Sequence, residues 1–259
     1  MRELYAVLTL AYRDLLKLLR DPARLISSLM FPLLFILILG GSLQGSFGSG
    51  SNFDYLAYVF TGVFAQTLFQ SASMGVVSLI DDRENDFSQE VFVSPISRYT
   101  IILGKIVGET LVALTQALGV VAFGLMAGVR FSFVQVIGLA WVGVVTCLFG
   151  AAFGVIILSN LNNRRTADQV FPYIMLPQFF LAGVFNPIQS LPWYLDFLSR
   201  ISPMRYAVDL TRDIFYLGRT DYASAILQGP GYNMVLMTIG FLVFLFIGTF
   251  LFVRKEQNR

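Results

Sequence analysis

Six long stretches of this 259-residue chain carry no charged residue: 25–53, 55–80, 110–129, 131–163, 169–195 and 222–253. About 20 mostly apolar residues suffice for a helix to cross the hydrocarbon core of a bilayer. A soluble domain would place Lys, Arg, Asp and Glu on every exposed face, and this chain has only 13% of them, where soluble proteins have about 25%. The reading is an all-α membrane protein in which spanning helices consume most of the length, with no room left for a separate globular domain. One domain over 1–259 is expected.

Spans are expected near 26–43, 54–80, 101–128, 133–159, 168–185 and 232–253, with Pro32 kinking the first and a Gly/Ser-rich loop, 40–51, after it. Before them, residues 2–24 place Leu4, Val7, Leu8, Ala11, Leu15, Leu18 and Leu19 on one helical face and Arg13, Lys17, Arg20 and Arg24 in a basic stripe. That pattern suits a helix lying in the headgroup plane, or one packed on a partner. Asp21-Pro22 marks the turn into the first span. The first apolar run is too long, and begins too late, for a cleaved signal peptide.

With six spans both ends share one side, and that side collects thirteen of the 18 Lys and Arg. The remaining five are Arg130, Arg200, Arg205, Arg212 and Arg219. Basic loops stay inside, so both termini are expected to be cytoplasmic, in a multi-pass protein of the cell membrane.

Composition also excludes chemistry. The chain has no histidine, which removes most zinc sites and Ser-His triads, and no metal site is expected. The single Cys147 lies in an apolar run and reads as a packing residue. A net charge of +2 gives no footing for nucleic acid. The only Gly-Lys pair is Gly104-Lys105, followed by Ile106 and preceded by Tyr99 where a phosphate loop needs its first Gly. The chain is therefore not expected to be an enzyme or to bind a cofactor.

Charge concentrates after the second span, at 81–100. Asp81, Asp82, Glu84, Asp86 and Glu90 fall within ten residues, followed by the apolar knob Val91-Phe92-Val93. A solvated loop does not need that knob; docking to a soluble protein does. Near the start of the third span, Lys105 and Glu109 stand at i, i+4: an intrahelical pair, or a buried polar contact to another helix. Between the last two spans Arg205, Asp209, Arg212 and Asp213 fall on one helical face. They suggest a charge ladder, on an exposed surface helix or one lining a wet vestibule. Phe60, Phe64, Gln66, Phe69 and Gln70 in the second span, and Phe171, Met175, Gln178 and Phe179 in the fifth, are an adaptable apolar path or ordinary packing.

Two of these regions resemble a known family. Glu84, Glu90, Ser94-Pro95-Ile96-Ser97-Arg98 and Leu103-Gly104-Lys105 look like the cytoplasmic loop of ABC-2-type transporter permeases. Gly183-Val184-Phe185-Asn186-Pro187-Ile188, Leu191-Pro192-Trp193-Tyr194, Ser202-Pro203-Met204-Arg205-Tyr206 and Asp209…Arg212 look like the same family's segment after the fifth span, with Ser202 where Asn is frequent. The resemblance implies a partner: a separate ATPase subunit, in two copies, that binds ATP and magnesium. A second permease copy, identical or related, completes the exporter within membrane lipid. The coupling contact would use Asp82, Glu84, Asp86, Glu90, Val91, Phe92, Pro95 and Arg98, beside an interfacial helix over 2–24. The segment 186–221 would form short re-entrant helices, with Asn186, Trp193, Arg205, Asp209 and Arg212 as an outer gate. The second and fifth spans would border the substrate path. The reading competes with a secondary transporter or channel that needs no ATPase; the near-absence of mid-span ionisable groups favours the exporter. Short outer loops favour a lipophilic or lipid-linked substrate.

Overall fold

The computed structural model describes residues 2–47, 53–84, 97–161, 163–219 and 221–257, and among them there are helices and turns but no strands. Helix α1 spans Arg2–Leu19. Asp21 then caps a new helix, accepting from the Arg24 backbone N–H with Pro22 in the first turn, where its missing N–H costs nothing. This helix, α2, covers Pro22–Phe35, widens into a π turn over Ile36–Gly40 and continues as α3, Gly41–Phe47. The first span thus starts at the proline rather than near residue 26. Pro32 sits inside an unbroken helix with the π turn next to it, and helix replaces the loop expected from residue 40.

Next come α4 (Tyr55–Val77), α5 (Leu79–Glu84), α6 (Arg98–Met126), α7 (Phe133–Asn160), α8 (Arg164–Leu181), α9 (Trp193–Ile201), α10 (Pro203–Phe215), α11 (Tyr222–Ala225) and α12 (Pro230–Gln257). Among the described residues, five helical stretches are long and apolar enough to cross a membrane: Pro22–Ser46, Tyr55–Asp82, Arg98–Met126, Phe133–Asn160 and Tyr222–Lys255. The expected span at 168–185 is not among them. Its helix starts with Arg164, Arg165 and Asp168, has Pro172 and Pro177 inside, and ends at Gly183, whose φ of 68° is open to glycine.

Helix α4 is the axis of the bundle, buried along nearly its whole length. A helix apolar on all sides can be buried all round, and α4 packs on α6, α7 and α10. Its seam with α7 depends on small residues. A Cβ on Gly150 or Gly154 would lie 2.5 Å from Phe69 O or 2.4 Å from Ser73 O, and Ser73 Oγ donates to Gly150 O at 2.6 Å. Helix α12 packs on the far side of α7, and α1 packs on α6.

Candidate functional site

The site begins where α1 meets α6. A Cβ on Gly108 would stand 3.0 Å from Ala11 Cα, and one on Gly104 2.9 Å from Leu10 Cδ1. These glycines let the two backbones close on each other. The buried side of α1 consists of Ala11, Asp14 and Leu18, whereas Leu4, Leu8 and Leu19 stay more than half exposed. The apolar face read from the sequence is therefore divided, one part on α6 and the other turned outward with Tyr5 and Tyr12.

Asp14, in the middle of that buried side, meets Lys105 at 3.0 Å. Lys105 also contacts Glu109 Oε1 at 2.8 Å and reaches Asp82 at 3.9 Å. Arg13 bridges Asp14 and Asp82, both at 2.8 Å, and Lys17 pairs with Asp82 at 3.1 Å. Among the described residues three carboxylates thus meet three cations, so this set of charges balances, the condition under which buried charge is tolerable. Burial pulls the Arg13 guanidinium pKa down, but Asp14 and Asp82 outweigh it and raise the net value. Thr100 Oγ1 donates to Glu3 at the outer edge of the same interface, and Arg164 links Asp81 and Asp168 at 2.6 and 2.8 Å. The Lys105–Glu109 pair is present, and it is one arm of a network tying α1, α4–α5 and α6 together.

Two cavities meet at this network. A polar one of about 390 Å³ is lined by Asp14, Lys17, Asp81, Asp82, Lys105 and Glu109. A larger one of about 490 Å³ lies between α2, α4, α6 and α8, lined by Phe31, Gln66, Gln70, Phe171, Met175 and Phe179. Arg24, Met74, Glu109 and Val112 border both. Glu109 is pressed against α4: a Cβ on Gly75 would come within 2.0 Å of its Oε2.

Of the residues read as a path, Gln66, Gln70, Phe171, Met175 and Phe179 share this larger cavity. Gln178 turns aside, donating to Ile174 O and accepting from Met204 N at 3.4 Å. Phe60, Phe64 and Phe69 belong to the core; Phe60 meets Phe131 edge-on at 5.1 Å and Phe69 meets Phe149 at 5.8 Å. Phe31 and Gln116, also on the cavity wall, come from faces that no sequence pattern marked.

The α10 stripe is neither exposed nor vestibular. Arg205, Asp209, Arg212 and Asp213 are all at least nine-tenths buried, and Asp209 pairs with neither arginine. Asp209 accepts from the Leu227 and Gln228 backbone N–H groups at 2.8 and 2.9 Å and from Asn233 at 2.9 Å. Arg212 Nη2 donates to Gly183 O at 2.7 Å and Val184 O at 3.3 Å, with its guanidinium 3.6 Å above the Tyr58 ring. Arg205 reaches Ser199 and Asp196 on α9. The ladder expectation fails because each group finds a better partner on another element than its helical neighbour offers.

Burial pushes the Asp213 carboxyl up to about 7; hydrogen bonds from Asn233 and Tyr222 oppose the rise, and the Asp209 charge adds to it. Burial also raises the Tyr216 phenol, against the pull of Arg212. Asn186 and Trp193, grouped with these residues in the sequence reading, lie exposed at the surface.

The coupling residues are divided. Asp82 sits in the charge network, and Arg98 opens α6 with its Nη1 buried and without a hydrogen-bond partner. The side chain of Glu84, and Asp86, Glu90, Val91, Phe92 and Pro95 entirely, lie outside the described residues.

With this architecture in place, residues 5–216 match the family model of the ABC-2 type transporter. The chain belongs to that family. It is a multi-pass membrane protein and a membrane transport subunit. Similarity extends to a putative transport permease, ycf38, of Cyanophora paradoxa, 22% identical over 91% of this chain and 86% of that protein. The probable multidrug ABC transporter permease YbhR of Escherichia coli is 29% identical over 63% of this chain, which spans only 45% of YbhR's length. The daunorubicin resistance permease DrrB1 of Streptomyces coeruleorubidus is 23% identical over 82% of this chain and 75% of its own.

Sequence reasoning missed Asp14 and Asn233. A lone acid between Ala11 and Leu18, on the apolar side of a basic helix, was the available signal for the first. Nothing in the sequence pointed to Asn233 as a partner of α10.

Proposed function

We propose that this chain is the permease half of an ATP-driven exporter that moves a lipophilic or lipid-linked molecule out of the cytoplasm or the inner leaflet. Two copies, or one copy and a related chain, pair with two ATPase subunits, which bind the ATP and magnesium. The protein resides in the cytoplasmic membrane with both ends inside. Helix α8 completes a sixth crossing, at a rise of about 27 Å for its length. Helix α1 lies in the headgroup layer, an arrangement supported by its outward Leu4, Tyr5, Leu8 and Tyr12. The 186–221 segment re-enters the outer leaflet, supported by the outward Trp193, Phe197 and Ile201 of α9.

The observation that carries this reading is the shared wall at Glu109. The larger cavity has a mainly apolar wall from α2 and α8, with glutamines and hydroxyls from α2, α4 and α6 and the charged Arg24 and Glu109 on the border it shares with the polar cavity, a lining suited to amphipathic, lipophilic cargo. Its wall is bonded through Lys105 to Asp14 and Asp82, and Asp82 leads into the acidic segment expected to meet the ATPase. A push on that segment shifts the network and with it the cavity wall. The daunorubicin and multidrug names of two relatives agree with lipophilic cargo.

The test is ATP turnover by the reconstituted permease–ATPase complex, with and without lipophilic drugs. Glu109→Gln and Phe92→Ala are expected to keep membrane insertion and lose drug-stimulated turnover. Uphill transport by the permease alone, driven by a proton or sodium gradient, would falsify the proposal.

A further inference from the structure

A second, smaller cavity faces away from the network. It is a groove of about 310 Å³ between the start of α6 and the last turns of α12. Tyr99, Ile102 and Leu103 form one wall, and Leu242, Phe246 and Phe250 form the other. The α12 residues fall at i, i+4 and i+8, a single ridge, and the next position on it is Arg254. Arg254 is exposed and has no partner among the described residues.

Thr249 is in the lining of this otherwise apolar groove, and two arginines stand just beyond the lining, Arg98 next to Tyr99 on α6 and Arg254 one turn after Phe250 on α12. Arg254 closes the α12 ridge. Arg98 heads the opposite wall with Nη1 buried and unbonded, at the positive end of a helix whose first N–H groups have no intrahelical acceptors. Thr249 lines the groove, is 6% exposed, and its hydroxyl makes no hydrogen bond. Thr110, Thr115 and Thr211 each return their hydroxyl to the carbonyl four residues earlier, whereas Thr249, like Thr146 in α7, does not. Thr249 leaves that local acceptor unused.

We propose that this groove binds one anionic glycerophospholipid from the leaflet that holds both chain ends. The inference rests on the topology given above and is independent of the export reading. The two guanidiniums take the phosphate, the Thr249 hydroxyl donates to an ester carbonyl beneath it, and one acyl chain fills the groove. The dimensions agree. Leu242 to Phe250 covers about 12 Å of helix, most of the roughly 15 Å depth of one leaflet's hydrocarbon. Thr249 lies about 7 Å along the axis from Arg254, on the apolar side, as ester carbonyls lie below a phosphate.

Delipidated protein would be titrated with phosphatidylglycerol and phosphatidylcholine of matched chains, and bound lipid counted by native mass spectrometry. Wild type is expected to retain one phosphatidylglycerol at least tenfold more tightly than phosphatidylcholine. Arg254→Gln, a surface change that leaves folding alone, should remove most of that preference, and adding Arg98→Gln the rest. Thr249→Val should weaken both lipids to a similar extent. Leu103→Trp, which fills the groove, should exclude both. Equal binding of the two lipids by wild type would overturn the proposal. So would an unchanged preference in Arg254→Gln, or disulfide-linked dimers through Phe250→Cys, which would give the groove to a second copy. Drug-stimulated turnover measured in parallel separates this result from the fate of the export reading.

Discussion

Replacing Arg212 with methionine removes a cation that forms no ion pair among the described residues and that nevertheless joins three elements. The side chain is 1% exposed. Its 2.7 Å bond to Gly183 O is a short charge-assisted contact, worth about 1.5–3 kcal/mol net, and the 3.3 Å bond to Val184 O adds little. Stacking 3.6 Å above Tyr58, away from water, contributes about 2 kcal/mol. Against this stands the buried Nε, which has no partner and costs about 1–3 kcal/mol. Methionine recovers part of the volume, and the Tyr58 hydroxyl still donates to Gly183 O at 3.3 Å. The net expected loss is about 2 kcal/mol: the bond and the stack together, less the cost of the unbonded Nε that methionine no longer carries. Lysine keeps the charge but not the flat face, so Arg212→Lys should recover about 1 kcal/mol or less. The assay is equilibrium unfolding in mixed micelles, followed by circular dichroism and by emission of Trp141 and Trp193, combined in a double-mutant cycle with Tyr58→Leu. A coupling energy of about 1–2 kcal/mol between the two positions is expected. Loss of less than about 0.5 kcal/mol in Arg212→Met, with no coupling to Tyr58, would refute the reasoning.

Three further outcomes follow from the same geometry. Gly108→Val is expected to push α1 off α6 and break the Asp14–Lys105 bond, seen as faster proteolysis of α1 and lost drug stimulation, while Gly45→Val, which meets nothing within 4 Å, leaves both intact. Asp213 has a pKa raised above its usual carboxylate value, so the folded protein holds a proton that the unfolded chain releases. Stability should therefore fall as pH rises from about 4 to about 7 and level off above, and Asp213→Asn should flatten that slope in unfolding measurements across the range. Cys147, 0% exposed, should resist a membrane-permeant maleimide in the folded protein and react fully in denaturant.

Much of the architecture was already written in local pattern. Uncharged runs separated by charged turns mark helices because lipid offers backbone groups no partners, so each crossing must satisfy its own. The Asp21-Pro22 start, the Lys105–Glu109 pair and the buried character of Cys147 all depend on neighbours along one helix, and such neighbours are visible in a one-dimensional string. Boundaries were harder. Pro32 reads as a kink, but the helix carries it through an adjoining π turn, and Gly41–Phe47 remains helical despite its Gly and Ser content.

What the string could not hold was partnership between distant segments. Arg205, Asp209 and Arg212 look like a ladder because they are spaced to reach each other. Folding instead hands Asp209 to Leu227, Gln228 and Asn233, and Arg212 to Gly183, Val184 and Tyr58. Phe60 and Gln70 lie on one helix, yet one faces the core and the other a cavity, and a helix apolar all round carries no moment to tell its sides apart. Asp14 was hidden among basic residues until the bare backbones of Gly104 and Gly108 brought α1 close enough for it to meet Lys105. Composition and periodicity settle which segments leave water. Which buried charge neutralises which is decided only when the helices pack, because an ion pair in a dry interior is set by distance in space rather than by separation along the chain.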